Sequence, residues 1–212
     1  IRQSIGEAVP TIILDNVASK IKRVLTENNP DDRTLKKLIN NYHLEDIDKL
    51  HDYIDLNPEN LSFNSLSRLA ELSNSLQTET AAYYTDKNTL LTIFNNLPDI
   101  PKNKVHILEP SVGTGNFIPF IIKKYEKCEQ LTIDVCDINE NSIKILKLLL
   151  SKMKIPKNVR INFICNDFLK HNFNCRYDLI IGNPPFLKLK DSQLLKEYRN
   201  IVGDNVAKNT SA

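Results

Sequence analysis

After Pro101 the apolar residues of this chain change their period, and that change restricts the possible folds more than any other feature of the sequence. Four short apolar runs of strand length stand at 105–108, 131–135, 161–164 and 177–181. The segment 117–127 lies between the first two, and 141–154 between the second and third, with apolar positions at Ile143, Leu146, Leu149 and Leu150. Short, near-continuous apolar runs separated by amphipathic helices are the pattern of a parallel sheet buried on its faces, because parallel neighbours need a crossover helix. The fold class that follows is α/β. In such sheets ligands bind beyond the carboxyl ends of the strands, so the residues that close each run become the candidate site.

The first 100 or so residues follow a helical period. Ile13, Leu14, Val17, Ala18, Ile21, Val24 and Leu25 recur at helical spacing after Pro10. A second amphipathic stretch starts near Asp31-Asp32 and runs through Leu35, Leu38 and Ile39, and a third carries Leu66, Leu69, Leu72 and Leu76. Packing explains all three. The expected organisation is a helical region over 1–76 followed by the α/β domain over 77–212.

Composition is that of a soluble globular protein, with 41% hydrophobic and 25% charged residues in 212. A net charge of +2 neither demands nor excludes nucleic acid. No apolar stretch approaches a membrane span and no signal-peptide layout opens the chain, so a cytoplasmic protein without a membrane partner is expected. Cys128, Cys136, Cys165 and Cys175 form no C-x-x-C pair, and His43, His51, His106 and His171 lack ligand spacing, so no metal is expected.

The strand ends carry the chemistry. Behind the fourth run stands Asn183-Pro184-Pro185-Phe186. Proline lacks an N–H and pushes the residue before it out of the α region, so the Asn183 amide oxygen and the Pro184 carbonyl are held extended and can face a ligand. Together with the Phe186 ring they suit a planar substrate bearing an amino group. A plain Pro-Pro turn is the alternative. The first run ends in Glu109-Pro110-Ser111-Val112-Gly113-Thr114-Gly115-Asn116-Phe117. It has neither the third glycine of the dinucleotide pattern nor the Gly-Lys-Ser/Thr of a P-loop. An acid ahead of the turn disfavours a pyrophosphate and favours a cation or an ammonium group. Asp137-Ile138 closes the second run, where Asp137 can accept ribose hydroxyls or, like Asn139, cap the next helix. Asp167-Phe168 closes the third, with an adenine-binding role and a turn role both open.

These motifs resemble those of the amino-methyltransferases that modify DNA, especially the adenine-N6 enzymes whose cofactor motif precedes the catalytic one. Glu109, Pro110, Gly113, Gly115 and Phe117 are similar to the family's E-P-x-x-G-x-G-x-F motif for S-adenosyl-L-methionine. Asp137 with Ile138 matches its ribose-binding acid, and Asp167-Phe168 its adenine-binding pair. Asn183, Pro184, Pro185 and Phe186 match the catalytic N-P-P-Y/F. Ala81-Ala82-Tyr83-Tyr84-Thr85 resembles the G-x-Y-Y-T-P segment, which carries a methionine-end contact over to Thr85 and Tyr84, although Ala81 and Asp86 replace its Gly and Pro. The resemblance covers roughly 78–190 and implies a Rossmann-like methyltransferase sheet. The implied activity is methylation of adenine N6 in double-stranded DNA within a restriction-modification system, beside a restriction endonuclease subunit or a fused methyltransferase domain.

Two other methyltransferase classes share N-P-P-aromatic: those acting on glutamine of release factors and on guanine N2 of ribosomal RNA. A second resemblance lies at Arg2–Pro10, which is similar to the closing G-N-A-V-P segment of DNA cytosine-C5 methyltransferases, with Glu7 in place of Asn. No cysteine follows a proline, so these residues lack the C5 nucleophile. The remainder after Phe186 has no room for the rest of such a sheet or for a target-recognition region. The sequence is therefore expected to be an excerpt, incomplete at its C-terminus and inactive alone, and an inactive cofactor-binding fragment is the competing reading. Lys188, Lys190, Lys196 and Arg199 can face phosphate or simply line a solvated helix.

Overall fold

A computed structural model describes residues 28–77, 87–184 and 192–203. In chain order the elements are α1 (Asp32–Tyr42), α2 (Ile47–Leu56), α3 (Phe63–Gln77), α4 (Lys87–Asn95), β1 (Lys104–Glu109) and α5 (Ile118–Tyr125). They continue with β2 (Gln130–Asp137), α6 (Glu140–Ser151), β3 (Val159–Cys165), β4 (Leu179–Ile180) and α7 (Ser192–Val202). The four strands form one parallel sheet in the order β3-β2-β1-β4. The chain thus has the expected α/β fold, with a Rossmann-like parallel sheet. Among the described residues no helix is long and apolar enough to cross a membrane.

Alternation along the strands builds the core. Val105 and Ile107 of β1 and Leu131, Ile133 and Val135 of β2 are buried against Ile118, Ile121 and Ile122 of α5 and Ile143, Leu146 and Leu150 of α6. Each such aliphatic side chain contributes about 1.5–3 kcal/mol by leaving water. Asn139 starts α6 because its side chain accepts from the Asn141 and Ser142 amides (2.9 and 3.3 Å), satisfying two of the donors a helix start leaves open.

The helical layer departs from its expected form in two places. The stretch that begins at Asp31 is two helices: His43 adopts a left-handed conformation that ends α1, and Asp46 caps α2. The helix α4 was not foreseen; its Leu90 joins the sheet core and its Phe94 ring lies 5.6 Å from that of Phe120. The α1–α3 layer has its own core of Leu35, Ile39, Leu50, Ile54, Leu66 and Leu69, completed by Ile145 and Leu149 of α6. The expected helix after Pro10 and the Arg2–Pro10 resemblance lie outside the described residues.

Candidate active site at the strand ends

Strand order places the reversal of the sheet between β1 and β4, since β2 lies on one side of β1 and β4 on the other. Crevices at such switch points receive ligands. The glycine turn leaves β1 and the Asn183-Pro184 segment leaves β4, so the two candidate motifs flank one crevice. Gly182 makes this approach feasible. A Cβ there would lie 3.0 Å from Pro110 Cδ and 3.3 Å from its Cγ, so a side chain would push the two segments apart. Sequence reasoning left Gly182 without a role, and only the β1–β4 pairing reveals it.

Within the turn, Gly113 and Gly115 hold φ of +53° and +85°, a region that side-chain-bearing residues rarely adopt. The turn is braced from β2: Val112 N–H donates to the Cys136 carbonyl (2.9 Å), and Gly113 N–H donates to Asp137 Oδ2 (2.8 Å). Asp137 Oδ1 accepts from Asn139 N–H (2.8 Å). Asn139, not Asp137, caps α6. Asp137 is therefore locked onto the glycine turn, and each of its oxygens retains acceptor capacity for a hydroxyl. Burial raises its carboxyl above the ordinary range, opposed by those backbone donors.

Glu109 is 1% exposed, and its Oε2 has no hydrogen-bond partner among the described residues. Desolvation, and then the charge of Asp137, push its carboxyl well above the usual carboxylate range. An orphaned buried acid oxygen is costly unless a donor or cation completes it. Glycine permissiveness beside it provides room for a ligand rather than backbone donors, because Gly113 N–H is already bonded to Asp137. Both features fit a cationic nucleoside better than a phosphate.

The remaining predicted residues have different surroundings. Ile138 is 71% exposed at the end of β2, an apolar surface that water does not favour. Asp167 shapes its own turn by accepting from Leu169 N–H (3.0 Å) through Oδ1 and from Tyr198 O–H (2.8 Å) through Oδ2. The Phe168 ring is tilted 44° against that of Phe173, with ring centres 5.4 Å apart. Phe117 is buried in the core at the head of α5. Tyr84, Thr85, Pro185 and Phe186 lie outside the described residues, as do Lys188 and Lys190.

Two groupings escaped sequence reasoning. On α3, Glu71 is buried and contacts the glycine turn through Thr114 and Asn116. The available signal was an acid among Leu69, Ala70 and Leu72, which packing alone does not explain. On the sheet face opposite the core, ligand-type atoms of His106, Asp134 and Cys175 lie within 4.8 Å of one another. Spacing hid this group because its members come from three segments. Asp134 is already bonded there, to His106 Nε2 (3.0 Å), Tyr177 O–H (2.8 Å) and Asn162 Nδ2 (2.7 Å).

The chain shares 32% identity over 114 residues with a candidate protein N5-glutamine methyltransferase of Methanocaldococcus jannaschii, covering 54% of this chain and 52% of that one. It shares 27% over 115 residues with the type II methyltransferase M.CvrRI of Paramecium bursaria Chlorella virus XZ-6E, covering 54% and 27%. A ribosomal RNA small subunit methyltransferase C from Psychromonas ingrahamii is 30% identical over 101 residues, covering 48% and 26%. The chain thus spans about half or less of the length of these relatives. The methyltransferase small domain family matches residues 85–202, more than half of the 212-residue chain. The chain belongs to the methyltransferase small domain family, and its cofactor is S-adenosyl-L-methionine.

Proposed function

We propose that this chain transfers the methyl group of S-adenosyl-L-methionine to the exocyclic N6 amine of adenine in DNA, as part of a restriction-modification system. The observation that carries the reading is the closeness of the Asn183-Pro184 segment to the cofactor turn, through Gly182 against Pro110. Adenine N6 is a poor nucleophile because its lone pair is delocalised into the ring. Asn183 Oδ1 and the Pro184 carbonyl would accept its two N–H bonds, favour a pyramidal nitrogen, and stabilise the positive charge that develops there. Phe186 would stack on a base extruded from the duplex, offsetting part of its unstacking cost. The bound cofactor supplies an electrophilic methyl on a sulfonium. Glu109 would face its cationic end, Asp137 its ribose, Ile138 and Phe168 the faces of its adenine ring, and Asp167 the adenine amine. Pro110, Gly113, Gly115, Tyr84 and Thr85 would shape the pocket around it, with Phe117 supporting the turn from below.

Double-stranded DNA would be selected by a target-recognition region outside this sequence, with a restriction endonuclease subunit or a fused methyltransferase as partner. A rival substrate, the side-chain amide of a protein glutamine, presents the same planar N–H₂ group, and the 32% identical relative favours it. The test uses the intact protein, labelled cofactor, and unmethylated duplex DNA, a glutamine-bearing release factor and ribosomal RNA in parallel. Label on adenine N6, lost in Asn183→Ala while cofactor binding persists, is the expected result. Label on the protein or RNA alone would transfer the assignment to that class. Undiminished transfer by Asn183→Ala would refute the clamp.

A further inference from the structure

We infer that Glu71 is a positioning residue of the cofactor site: from α3 it holds the side chains of Thr114 and Asn116, and so sets the shape of the glycine turn that receives S-adenosyl-L-methionine. This rests on the reading of Glu109–Phe117 as the cofactor turn. Thr114 stands between the two glycines of positive φ, and Asn116 directly follows the second. Neither side chain is needed to close the turn itself. Both are directed into the helical layer. Glu71 Oε1 accepts from Thr114 Oγ1 (3.2 Å) and from Asn116 Nδ2. Ser67, one helical turn earlier, lies 2.8 Å from Thr114 Oγ1 and donates to Asn116 Oδ1 (2.8 Å).

The far side of the carboxylate is equally fixed. Arg68 Nη1 donates to Glu71 Oε2 (3.2 Å), while Arg68 grips Asp32 of α1 by Nε to Oδ1 (3.0 Å) and Nη2 to Oδ2 (2.6 Å). An unbroken chain of charge-assisted bonds therefore runs from α1 through α3 to the residues flanking the glycines. The Glu71 side chain is only 7% exposed, and burial pushes its carboxyl up to about 7 despite Arg68. A buried acid is a poor way to hold two surfaces together when apolar residues do so at lower cost. Its distinct benefit is directional. Two donors converging on one oxygen fix where Thr114 and Asn116 sit, and they hold the turn from the helical layer as the Cys136 carbonyl and Asp137 hold it from β2.

The experiment measures S-adenosyl-L-methionine affinity by titration calorimetry on the intact protein, with chemical unfolding of each variant alongside. Glu71→Ala removes the acceptor and should weaken cofactor binding about tenfold or more. Glu71→Gln keeps an oxygen for Thr114 and Asn116 and should stay within about threefold of the parent. Leu69→Ala loosens the same helix without touching the turn and should lower stability while leaving affinity unchanged at temperatures where it is folded. Should Glu71→Ala fail to fold, Thr114→Val removes one donor nearly isosterically and must itself weaken binding. A folded Glu71→Ala that binds like the parent overturns the inference. So does a Leu69→Ala that loses as much affinity, a Glu71→Gln as weak as Glu71→Ala, or a Thr114→Val with unchanged affinity. A parent that binds no cofactor refutes the cofactor turn itself, and the inference with it.

Discussion

Gly115→Ala should damage the fold more than Gly113→Ala, although the two glycines are two residues apart in one turn. Both have positive φ, so an alanine at either position brings backbone strain of about 1–2 kcal/mol. Their surroundings differ. At Gly113 an added Cβ meets nothing within 4 Å. At Gly115 it would lie 2.3 Å from Leu146 Cδ1 and 3.4 Å from Ile118 Cγ1. Leu146 is fully buried between sheet and helix, so its methyl has no open space to swing into. Overpacking of this kind adds about 1–3 kcal/mol. Gly115→Ala should therefore cost roughly 2–5 kcal/mol in denaturant unfolding, and Gly113→Ala roughly 1–2 kcal/mol. The clash itself can be isolated by a double-mutant cycle. Leu146→Ala alone costs about 2–5 kcal/mol, but it also clears the space. In that background Gly115→Ala should lose only its backbone part, giving a favourable coupling of about 1–3 kcal/mol. Equal losses at the two glycines, or a cycle that closes with no coupling, would refute the steric argument.

Two further outcomes follow from the buried ionisable groups. Glu109 has a raised carboxyl, so it holds its proton to higher pH than an ordinary acid. A cation seated against it favours the carboxylate, so cofactor binding should release a proton, and affinity should rise with pH by at most about tenfold per unit until the free protein's own Glu109 ionises. Calorimetry in two buffers of different ionisation enthalpy reads this directly. Identical heats, or the same pH dependence in Glu109→Gln, would remove Glu109 from the cationic end. Among the thiols, Cys165 and Cys175 are exposed, whereas Cys136 is buried and its thiol is pushed up to about 11 by burial and then by Asp137. A thiol reagent at neutral pH should label Cys165 and Cys175 first and reach Cys136 only on unfolding. Early labelling of Cys136 would mean that β2 opens locally.

The sheet was legible because its signal is redundant. Each of the runs 105–108, 131–135 and 161–164 sits inside an observed strand: β1 and β2 are buried along most of their length and so must be apolar, while β3, at the sheet edge, is only half-buried. The helical layer was less so. The junction at His43 depends on a left-handed residue that is not glycine, and α4 on a nine-residue segment too short for a clear period. The site shows the same division. Asp137 and Glu109 stood out by their place at strand ends, which chain order alone reveals. Gly182 and Glu71 act through segments distant in sequence, Pro110 for one and Thr114 with Asn116 for the other, and no local pattern records such contacts.

One helix belongs to two cores. Ile143, Leu146 and Leu150 of α6 face the sheet, while Ile145 and Leu149 of the same helix complete the α1–α3 layer. Neither layer can melt without stripping one side of α6, and a helix of twelve residues has little stability of its own in water. The consequence is cooperativity. Helical layer and sheet should be lost in a single transition, and deleting the α1–α3 layer would leave Ile145 and Leu149 of α6 facing solvent and destabilise the sheet with it. Material bound at the strand ends is then felt in α1, some distance away, as added resistance to unfolding.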